Sequence, residues 1–387
     1  MNSRAYVWLV LALCAAFILP VAGLNLLLGA SSLRYDKNQL ASDWQQATRG
    51  VTYAPPITHN RPFKTLRLNE RIGEINAVVF GSSTTMGLAR DALPPGFEIY
   101  NFAQTGNPLG AMIGEAEYVV RRWGGRIQLL VIPLDWALGF VYERGEPAAM
   151  QLTPETARHE AAAALPSLRA RVEDALSLPR LRILLTIARA IATAPDSAAA
   201  FREYFLAPAG PEYRCPDGTP ARDFDVVSRG LCNGFRYDGS ATFADQKRLE
   251  PARAAATLAA AASGSGQYAA ALRAGGGKPN AALLDRLSRL AREADARGTK
   301  LLLLLPPLAP GMEEALGRTG HSGAWLRSTL ERLHAWAARE RIALLDAGRS
   351  ERYGCTMSEF IDPHHALPDC YRRVFAGWPG VATATAR

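Results

Sequence analysis

The stretch Asn76-Ala77-Val78-Val79-Phe80-Gly81-Ser82-Ser83-Thr84-Thr85 joins a short apolar run to a turn of small residues. Such a run is typical of a buried strand, and the small residues after it are typical of a turn that begins a helix. Backbone amides at a helix start stabilise negative charge, which favours a nucleophilic serine there. The stretch predicts a strand that carries Ser83 to one edge of a sheet. Simple helix capping by the serines is the alternative.

The chain has four further apolar runs of strand length, at 98–102, 127–133, 300–305 and 342–345. Helical periodicity covers residues 281–297 and 324–339, directly before two of these runs. Strands that alternate with helices predict an α/β fold with a doubly wound, parallel, five-stranded sheet.

Residues 143–278 interrupt this alternation with Ala-rich helical segments, a loop and a run of glycines. We interpret them as a mainly helical insertion at the carboxyl edge of the strands, where α/β folds place their sites. The sheet domain then covers residues 76–378, and residues 379–387 form a flexible tail.

The N-terminal residues 1–33 carry no charge between Ala5 and Leu33 and are almost continuously apolar from Val7 to Leu28. About 20 such residues cross a bilayer as a helix. The segment predicts a transmembrane signal anchor, and a cleaved signal peptide is the alternative. Residues 34–75 are polar and contain three prolines, which predicts a stalk between the anchor and the domain.

Four of the five cysteines form two local pairs in the sequence, Cys215 with Cys232 and Cys355 with Cys370. Two short disulfide loops indicate an oxidising compartment, although four cysteines permit three pairings. A zinc site is disfavoured because no C-x-x-C spacing is present. The net charge of +8 comes without a nucleic-acid-binding signature, so no nucleic-acid partner is expected. We expect a single-pass protein of the cytoplasmic membrane whose domain lies in the periplasm.

The segment Phe360-Ile361-Asp362-Pro363-His364-His365 follows the last predicted strand. An aspartate three residues before a histidine can hold the imidazole in the tautomer that a general base needs, which favours Asp362 with His365. Asp362, His364 and His365 are also metal-ligating residue types. A metal needs further ligands, and no other cluster of histidine and glutamate is evident, so neither a metal nor a cofactor is expected.

A serine after the first strand and Asp-x-x-His after the last one resemble the SGNH (GDSL-like) hydrolase and acyltransferase family. The segment 100–106, Tyr-Asn-Phe-Ala-Gln-Thr-Gly, resembles the second sequence block of that family. The resemblance covers roughly residues 76–136 and 297–375. It implies a flavodoxin-like sheet, a Ser83–His365–Asp362 triad, and an oxyanion hole made by the backbone N–H groups of Ser83 and Gly106.

Two positions depart from the family pattern. Gly-Asp-Ser is replaced by Gly81-Ser82-Ser83, which keeps the serine in place. Gly-x-Asn-Asp of the third block is replaced by Pro-Leu-Asp-Trp at 133–136. The family's asparagine donates to the oxyanion, whereas an ionised Asp135 would repel it, so Asp135 must be protonated, turned away or used for another purpose.

The anchor and the altered third block resemble the alginate O-acetyltransferase group and the teichoic-acid D-alanylation protein, which work beside a multi-spanning membrane-bound O-acyltransferase. The resemblance implies an acyltransferase that O-acetylates a cell-surface or secreted polysaccharide. An esterase or deacetylase with the same triad, and an inactive membrane-tethered scaffold, are the alternatives. Besides the triad, we expect Asp135, Gln104, His364, Arg236 and Tyr237 to line the site, the last two by contacting the glycan; packing within the insertion is the alternative for these two.

Overall fold

A computed structural model describes residues 3–28, 37–53, 60–135, 172–173, 175–193, 197–201, 210, 212–224, 232–244, 246–263 and 266–378. The chain divides into two compact units. One consists of Met1–Ile57 with Arg158–Gly234, and the other of Thr58–Ala157 with Phe235–Arg387. The predicted tail 379–387 and the start of the predicted insertion, 143–171, lie outside the described residues.

Helices and strands alternate along most of the second unit. Among the described residues of both units, the α-helices are Ser3–Leu28, Lys37–Thr48, Arg61–Arg71, Leu109–Trp123, Leu178–Ala192, Ser197–Phe201, Pro251–Ala262, Gln267–Gly275, Ala281–Asp295, Met312–Gly317, Ser322–Glu340 and Pro368–Ala376. The strands are β1 Val51–Tyr53, β2 Ala77–Val79, β3 Ile99–Asn101, β4 Leu129–Pro133, β5 Glu212–Arg214, β6 Pro220–Asp223, β7 Lys300–Leu305 and β8 Ala343–Asp346.

Five of these strands form a parallel sheet in the order β3-β2-β4-β7-β8. Numbered along this sheet, the order is 2-1-3-4-5, which is the flavodoxin-like arrangement. Strand β4 is buried along its whole length, and β7 is buried from Leu301 to Leu305, because helices cover both strands. The predicted α/β fold with a parallel five-stranded sheet is confirmed.

The core of this unit forms where helix faces meet the sheet. Helix Ala281–Asp295 buries Leu283, Leu287 and Leu290 and packs against helix Leu109–Trp123. The three leucines recur at intervals of four and three residues, so they lie on one face. The helix predicted over residues 281–297 is thus present, and its apolar periodicity corresponds to one buried face.

The prediction of a stalk over residues 34–75 is wrong for most of its length. Helix Arg61–Arg71 belongs to the sheet-bearing unit and buries Phe63, Leu66 and Leu68. Its proline lies in the first turn, where the missing N–H has no intrahelical partner to lose. Pro62 was interpreted as a residue that interrupts helices, although it lies in the first turn of this one.

The boundaries of the predicted insertion also differ from those of the structure. Residues 235–278 belong to the sheet-bearing unit, and only 158–234 join the N-terminal segment in the other unit. There β6 pairs in parallel with β1 and antiparallel with β5, a small sheet that the sequence pattern did not predict. Its strands have three or four residues, too few to establish a periodicity.

Both predicted cysteine pairs are joined as disulfides. The Cα atoms are 5.5 Å apart in Cys215–Cys232 and 5.1 Å apart in Cys355–Cys370, within the range that a disulfide spans. The remaining cysteine, Cys14, lies exposed on helix Ser3–Leu28. That helix has 26 residues and is long and apolar enough to cross a membrane.

Candidate active site

The structure brings Ser83, His365 and Asp362 together at the carboxyl edge of the sheet. Ser83 begins a short 3-10 turn after β2, and the other two residues lie on the loop that precedes helix Pro368–Ala376. His365 Nε2 lies 2.8 Å from Ser83 Oγ, and His365 Nδ1 lies 2.6 Å from Asp362 Oδ2. Residues 282 positions apart in the sequence thus form one hydrogen-bonded chain.

The loop that carries the histidine is held by its own aspartate. Asp362 Oδ1 accepts the backbone N–H groups of His364 and His365 at 2.9 and 3.0 Å. Burial of Asp362 opposes its ionisation, but the hydrogen bond from His365 and the charges of both histidine rings outweigh this effect and hold its pKa well below the usual range. A carboxylate in this state keeps a proton on Nδ1 and leaves Nε2 free to accept one from serine.

Close backbone approach allows the serine turn to meet this loop. A Cβ at Gly87 would lie 2.4 Å from the carbonyl oxygen of Ala366, so only glycine fits there. At Gly81 (φ +156°) a Cβ would collide with the Thr85 side chain. The hydroxyl of Tyr371 also donates to the carbonyl of Thr84 at 2.6 Å, which ties the C-terminal helix to the turn.

Asp135 follows strand β4 and braces the two sides of the nucleophile. Its Oδ2 lies 3.0 Å from Ser82 Oγ and 2.9 Å from Thr84 Oγ1, and these two residues flank Ser83. The carboxylate is buried and accepts hydroxyl protons from the turn. The structure therefore gives Asp135 a role other than donation to an oxyanion, because its carboxylate holds the hydroxyls on both sides of Ser83.

Gly106 lies on an exposed turn with φ +66°, and Ser83 lies at the start of its own turn. Within the described residues, neither backbone N–H donates a hydrogen bond to another residue. The turn bearing Gly106 is fastened to the serine turn by the Gln104 N–H, which donates to the Gly81 carbonyl at 2.9 Å. Two unoccupied amides on turns that are joined in this way suit a developing oxyanion.

The side chain of Gln104 does not line the site as predicted. It is 2% exposed, and its Nε2 lies 3.3 Å from Glu115 Oε1. Glu115 also accepts from Asn107 Nδ2 at 3.0 Å and from Arg61 Nη1 at 2.6 Å. Gln104 and Asn107 bracket the turn that holds Gly106, so this buried cluster fixes the turn from beneath.

Glu115 and Arg61 were not predicted as site residues. Burial raises the pKa of Glu115, and the Arg61 charge and the side-chain hydrogen bonds partly offset this effect. The sequence contained one signal for Glu115. It lies between the buried Met112 and Ala116 of helix Leu109–Trp123, and a charge on an apolar helix face needs a partner. Arg61 gave no signal, because it lay in the segment interpreted as a stalk.

The contacts of Arg236 and Tyr237 do not support the prediction that one of them lines the cleft beside Ser83. The Tyr237 hydroxyl donates to Glu74 at 2.9 Å, and its ring lies 4.2 Å from the Arg71 guanidinium. The Arg236 guanidinium donates to the carbonyl of Ala241 at 2.8 Å. Their loop, 235–241, instead packs within the sheet-bearing unit, which differs from the alternative of a core within the insertion.

Arg236 also lines a separate surface pocket of about 550 Å³ together with Arg90, Phe97, Asp238 and Arg372. None of the three triad residues lines this pocket. Its arginines have partners nearby, because Arg90 pairs with Glu98 and Arg372 pairs with Asp91. The pocket is therefore not a cationic site.

His364 lies beside the triad, with its ring centroid 4.3 Å from that of His365 and 5.8 Å from that of Tyr268. Burial and the neighbouring His365 lower the pKa of His364, although Asp362 and Asp135 act in the opposite direction. The ring of His364 thus packs directly against the histidine that contacts Ser83.

Asp362, His364 and His365 also place potential metal-ligating atoms within 4.8 Å of one another. Two atoms bound to a tetrahedral zinc at about 2.0–2.1 Å lie roughly 3.3 Å apart. Asp362 Oδ2 and His365 Nδ1 are only 2.6 Å apart, which is a hydrogen-bond distance. Asp362 and His365 are therefore joined by a hydrogen bond through these two atoms, whereas His364 Nδ1 lies 3.3 Å from Asp362 Oδ1.

Comparison of the chain with protein-family models, with curated proteins and with solved structures finds no match.

Proposed function

We propose that the protein is a membrane-anchored SGNH-type enzyme that transfers acyl groups through Ser83. The observation that carries the proposal is the hydrogen-bonded chain Ser83–His365–Asp362, with the ring bridging the two other side chains at 2.8 and 2.6 Å. This geometry matches a nucleophile, a general base and the group that orients the base. An inactive scaffold would have no need to maintain it.

In the proposed reaction, Ser83 Oγ attacks the carbonyl carbon of an acyl donor while its proton passes to His365 Nε2. The N–H groups of Ser83 and Gly106 stabilise the oxyanion. As the intermediate collapses, the donor's leaving group departs with the proton from His365, and the acyl group remains on Ser83. An acceptor hydroxyl then loses its proton to His365 and attacks the ester, and Ser83 regains a proton as the acyl group leaves.

The acceptor in this proposal is a hydroxyl of a cell-surface or secreted polysaccharide, and the acyl group is acetyl. Both come from the resemblance to alginate O-acetyltransferase and teichoic-acid D-alanylation proteins, which also suggests a multi-spanning O-acyltransferase as a partner. The same triad with water as acceptor would make the protein an esterase or deacetylase. The helix Ser3–Leu28 and the two disulfides support an anchor in the cytoplasmic membrane and a periplasmic domain.

Labelling by a fluorophosphonate probe tests the nucleophile. We expect wild-type protein to become covalently modified at Ser83, and Ser83→Ala to abolish the modification. Ser82→Ala is a matched control, because its hydroxyl contacts Asp135 and Thr84 instead of the histidine, and it should retain labelling. Equal labelling of wild type and Ser83→Ala would contradict the proposed role of Ser83.

The two adjacent histidines provide a second matched pair. His365→Ala should abolish labelling, whereas His364→Ala should leave a substantial fraction of it, because only His365 contacts Ser83. If His364→Ala lost labelling and His365→Ala kept it, the general base would be His364 and the proposed role of His365 would be wrong.

Transfer is separated from hydrolysis by following an acetyl ester donor with and without a polysaccharide acceptor. A transferase should release donor faster when acceptor is present and should yield acetylated glycan by mass spectrometry. Donor hydrolysis that is unaffected by any acceptor would favour the esterase while leaving the triad intact.

A further inference from the structure

The helix Leu178–Ala192 packs against the N-terminal helix, and both lie in the same compact unit. The contact uses the C-terminal part of the N-terminal helix, where Val21, Asn25 and Leu28 are buried at intervals of four and three residues. Asn25 Nδ2 donates to the carbonyls of Ala175 and Ser177 at 3.0 Å each. The most apolar window of the N-terminal helix, by contrast, has no buried residue.

Large hydrophobic side chains are exposed in a second place besides that helix. Among the residues that the structure describes, all such side chains outside Ser3–Leu28 lie in a single segment and are Val172, Leu176, Leu178 and Leu185. Soluble surfaces rarely expose apolar side chains in clusters without a partner. Val172 and Leu176 directly precede helix Leu178–Ala192, which carries the other two and packs against a candidate membrane span, and this location indicates what covers the cluster.

The exposed face of Leu178–Ala192 combines leucine with arginine. Leu178, Arg182, Leu185 and Arg189 are exposed and recur at intervals of four, three and four residues, so they lie along one face. Leu181 and Leu184 are buried and form the stripe that adjoins this face. Arginine side chains can extend to phosphate groups while neighbouring leucines enter the acyl-chain region.

The helix is too short to cross a bilayer. Its 15 residues span about 22 Å at 1.5 Å per residue, against a hydrocarbon core of about 30 Å. A short helix with an apolar and basic face lies in the interface and buries that face about 5–10 Å into the boundary between headgroups and acyl chains.

We propose that the segment from Val172 to Ala192 is a second membrane contact, an interfacial helix that binds anionic phospholipid beside the end of the anchor. This inference rests on the proposed anchoring by Ser3–Leu28. It adds a lipid-binding surface, so that two helices instead of one hold the first unit at the membrane.

The test uses the full chain in vesicles of phosphatidylethanolamine and phosphatidylglycerol that contain lipids brominated on their acyl chains. A thiol-reactive fluorophore on the native Cys14, the free and exposed cysteine, reports insertion of the anchor. The variant Cys14→Ser/Leu185→Cys places the same fluorophore on the exposed face of the second helix. Cys14→Ser/Arg289→Cys is the control, because position 289 is exposed on helix Ala281–Asp295 of the other unit, for which no membrane contact is proposed.

We expect bromolipid quenching at position 185 to reach about half or more of that at Cys14, and to exceed that at position 289, because only the face bearing Leu185 enters the acyl region. Omission of phosphatidylglycerol should weaken the quenching at 185, and unchanged quenching would refute the role of the arginines. Quenching at Cys14 with none at 185 would overturn the inference, leave the anchoring intact and indicate that another protein covers this face. Absence of quenching at both positions would refute the anchoring itself.

Discussion

Substitution of Asp135 tests whether the carboxylate organises the nucleophile turn. Ser82 Oγ, Thr84 Oγ1 and Asp135 Oδ2 lie within 2.8–3.0 Å of one another. Each hydroxyl has one proton to donate, and the carboxylate can only accept. Ser82 and Thr84 can therefore each donate to Asp135. Asp135→Ala removes the shared acceptor, whereas Asp135→Asn keeps an acceptor oxygen without the charge.

The expected magnitudes follow from this arrangement. A hydrogen bond to a charged group contributes about 1.5–3 kcal/mol, so two contribute about 3–6 kcal/mol. After Asp135→Ala the hydroxyls are close enough to bond each other, which recovers about 1 kcal/mol and leaves a loss of about 2–5 kcal/mol in the free energy of unfolding. Asp135→Asn replaces two charged bonds by neutral ones and should lose about 1–3 kcal/mol.

Urea unfolding of the detergent-solubilised full chain, followed by tryptophan fluorescence, measures these losses. The rate of fluorophosphonate labelling at Ser83 should fall in the same order, because the flanking residues hold the serine. A loss below about 1 kcal/mol for Asp135→Ala would refute the bracing role, given the strength of two charged hydrogen bonds. Faster labelling of Asp135→Asn than of wild type would show instead that the carboxylate hinders the oxyanion.

Three further predictions concern ionisable groups. Glu115→Ala removes a buried carboxylate that accepts from Arg61, whose side chain is 17% exposed, and should cost about 1.5–3 kcal/mol in unfolding free energy. Glu115→Gln should recover part of the loss, and equal stability of Glu115→Ala and wild type in urea unfolding would contradict the role of this cluster. Burial lowers the pKa of Lys64 from 10.5 to about 7, so the unfolded chain binds more protons between these values and the free energy of unfolding should rise with pH across that window. Lys64→Met should flatten the rise in urea titrations, and an unchanged slope would assign the effect to another group. The lowered pKa of Asp362 stabilises the fold above the unfolded pKa of about 4, and this contribution is lost as pH falls through the lower folded value. Asp362→Asn should therefore lose stability at neutral pH and reduce any acyl-transfer rate by about 10⁴-fold, because the tautomer of His365 would no longer be fixed; a rate near that of wild type would show that Asp362 does not orient the ring.

The sheet could be predicted because its strands are local signals. Each apolar run is long enough to be recognised, and the helices 281–295 and 322–340 carry their periodicity in consecutive residues. The small sheet of β1, β5 and β6 could not be predicted in this way, because its pairing joins residues near 52 to residues near 222. The helix Arg61–Arg71 was missed because its apolar and charged residues are both buried, so its pattern resembles a polar linker.

The sequence by itself determined the elements that carry chemistry: a serine after a strand, and an aspartate three residues before a histidine. Local spacing is sufficient there because the Asp362–His365 contact forms within one loop. Only the tertiary structure decided that Ser83 meets His365, that Asp135 binds the hydroxyls beside the nucleophile, and that Glu115 pairs with Arg61. These contacts join residues 51 to 282 positions apart, and their geometry arises from parallel strands that end at one edge of the sheet and from helices that pack against it.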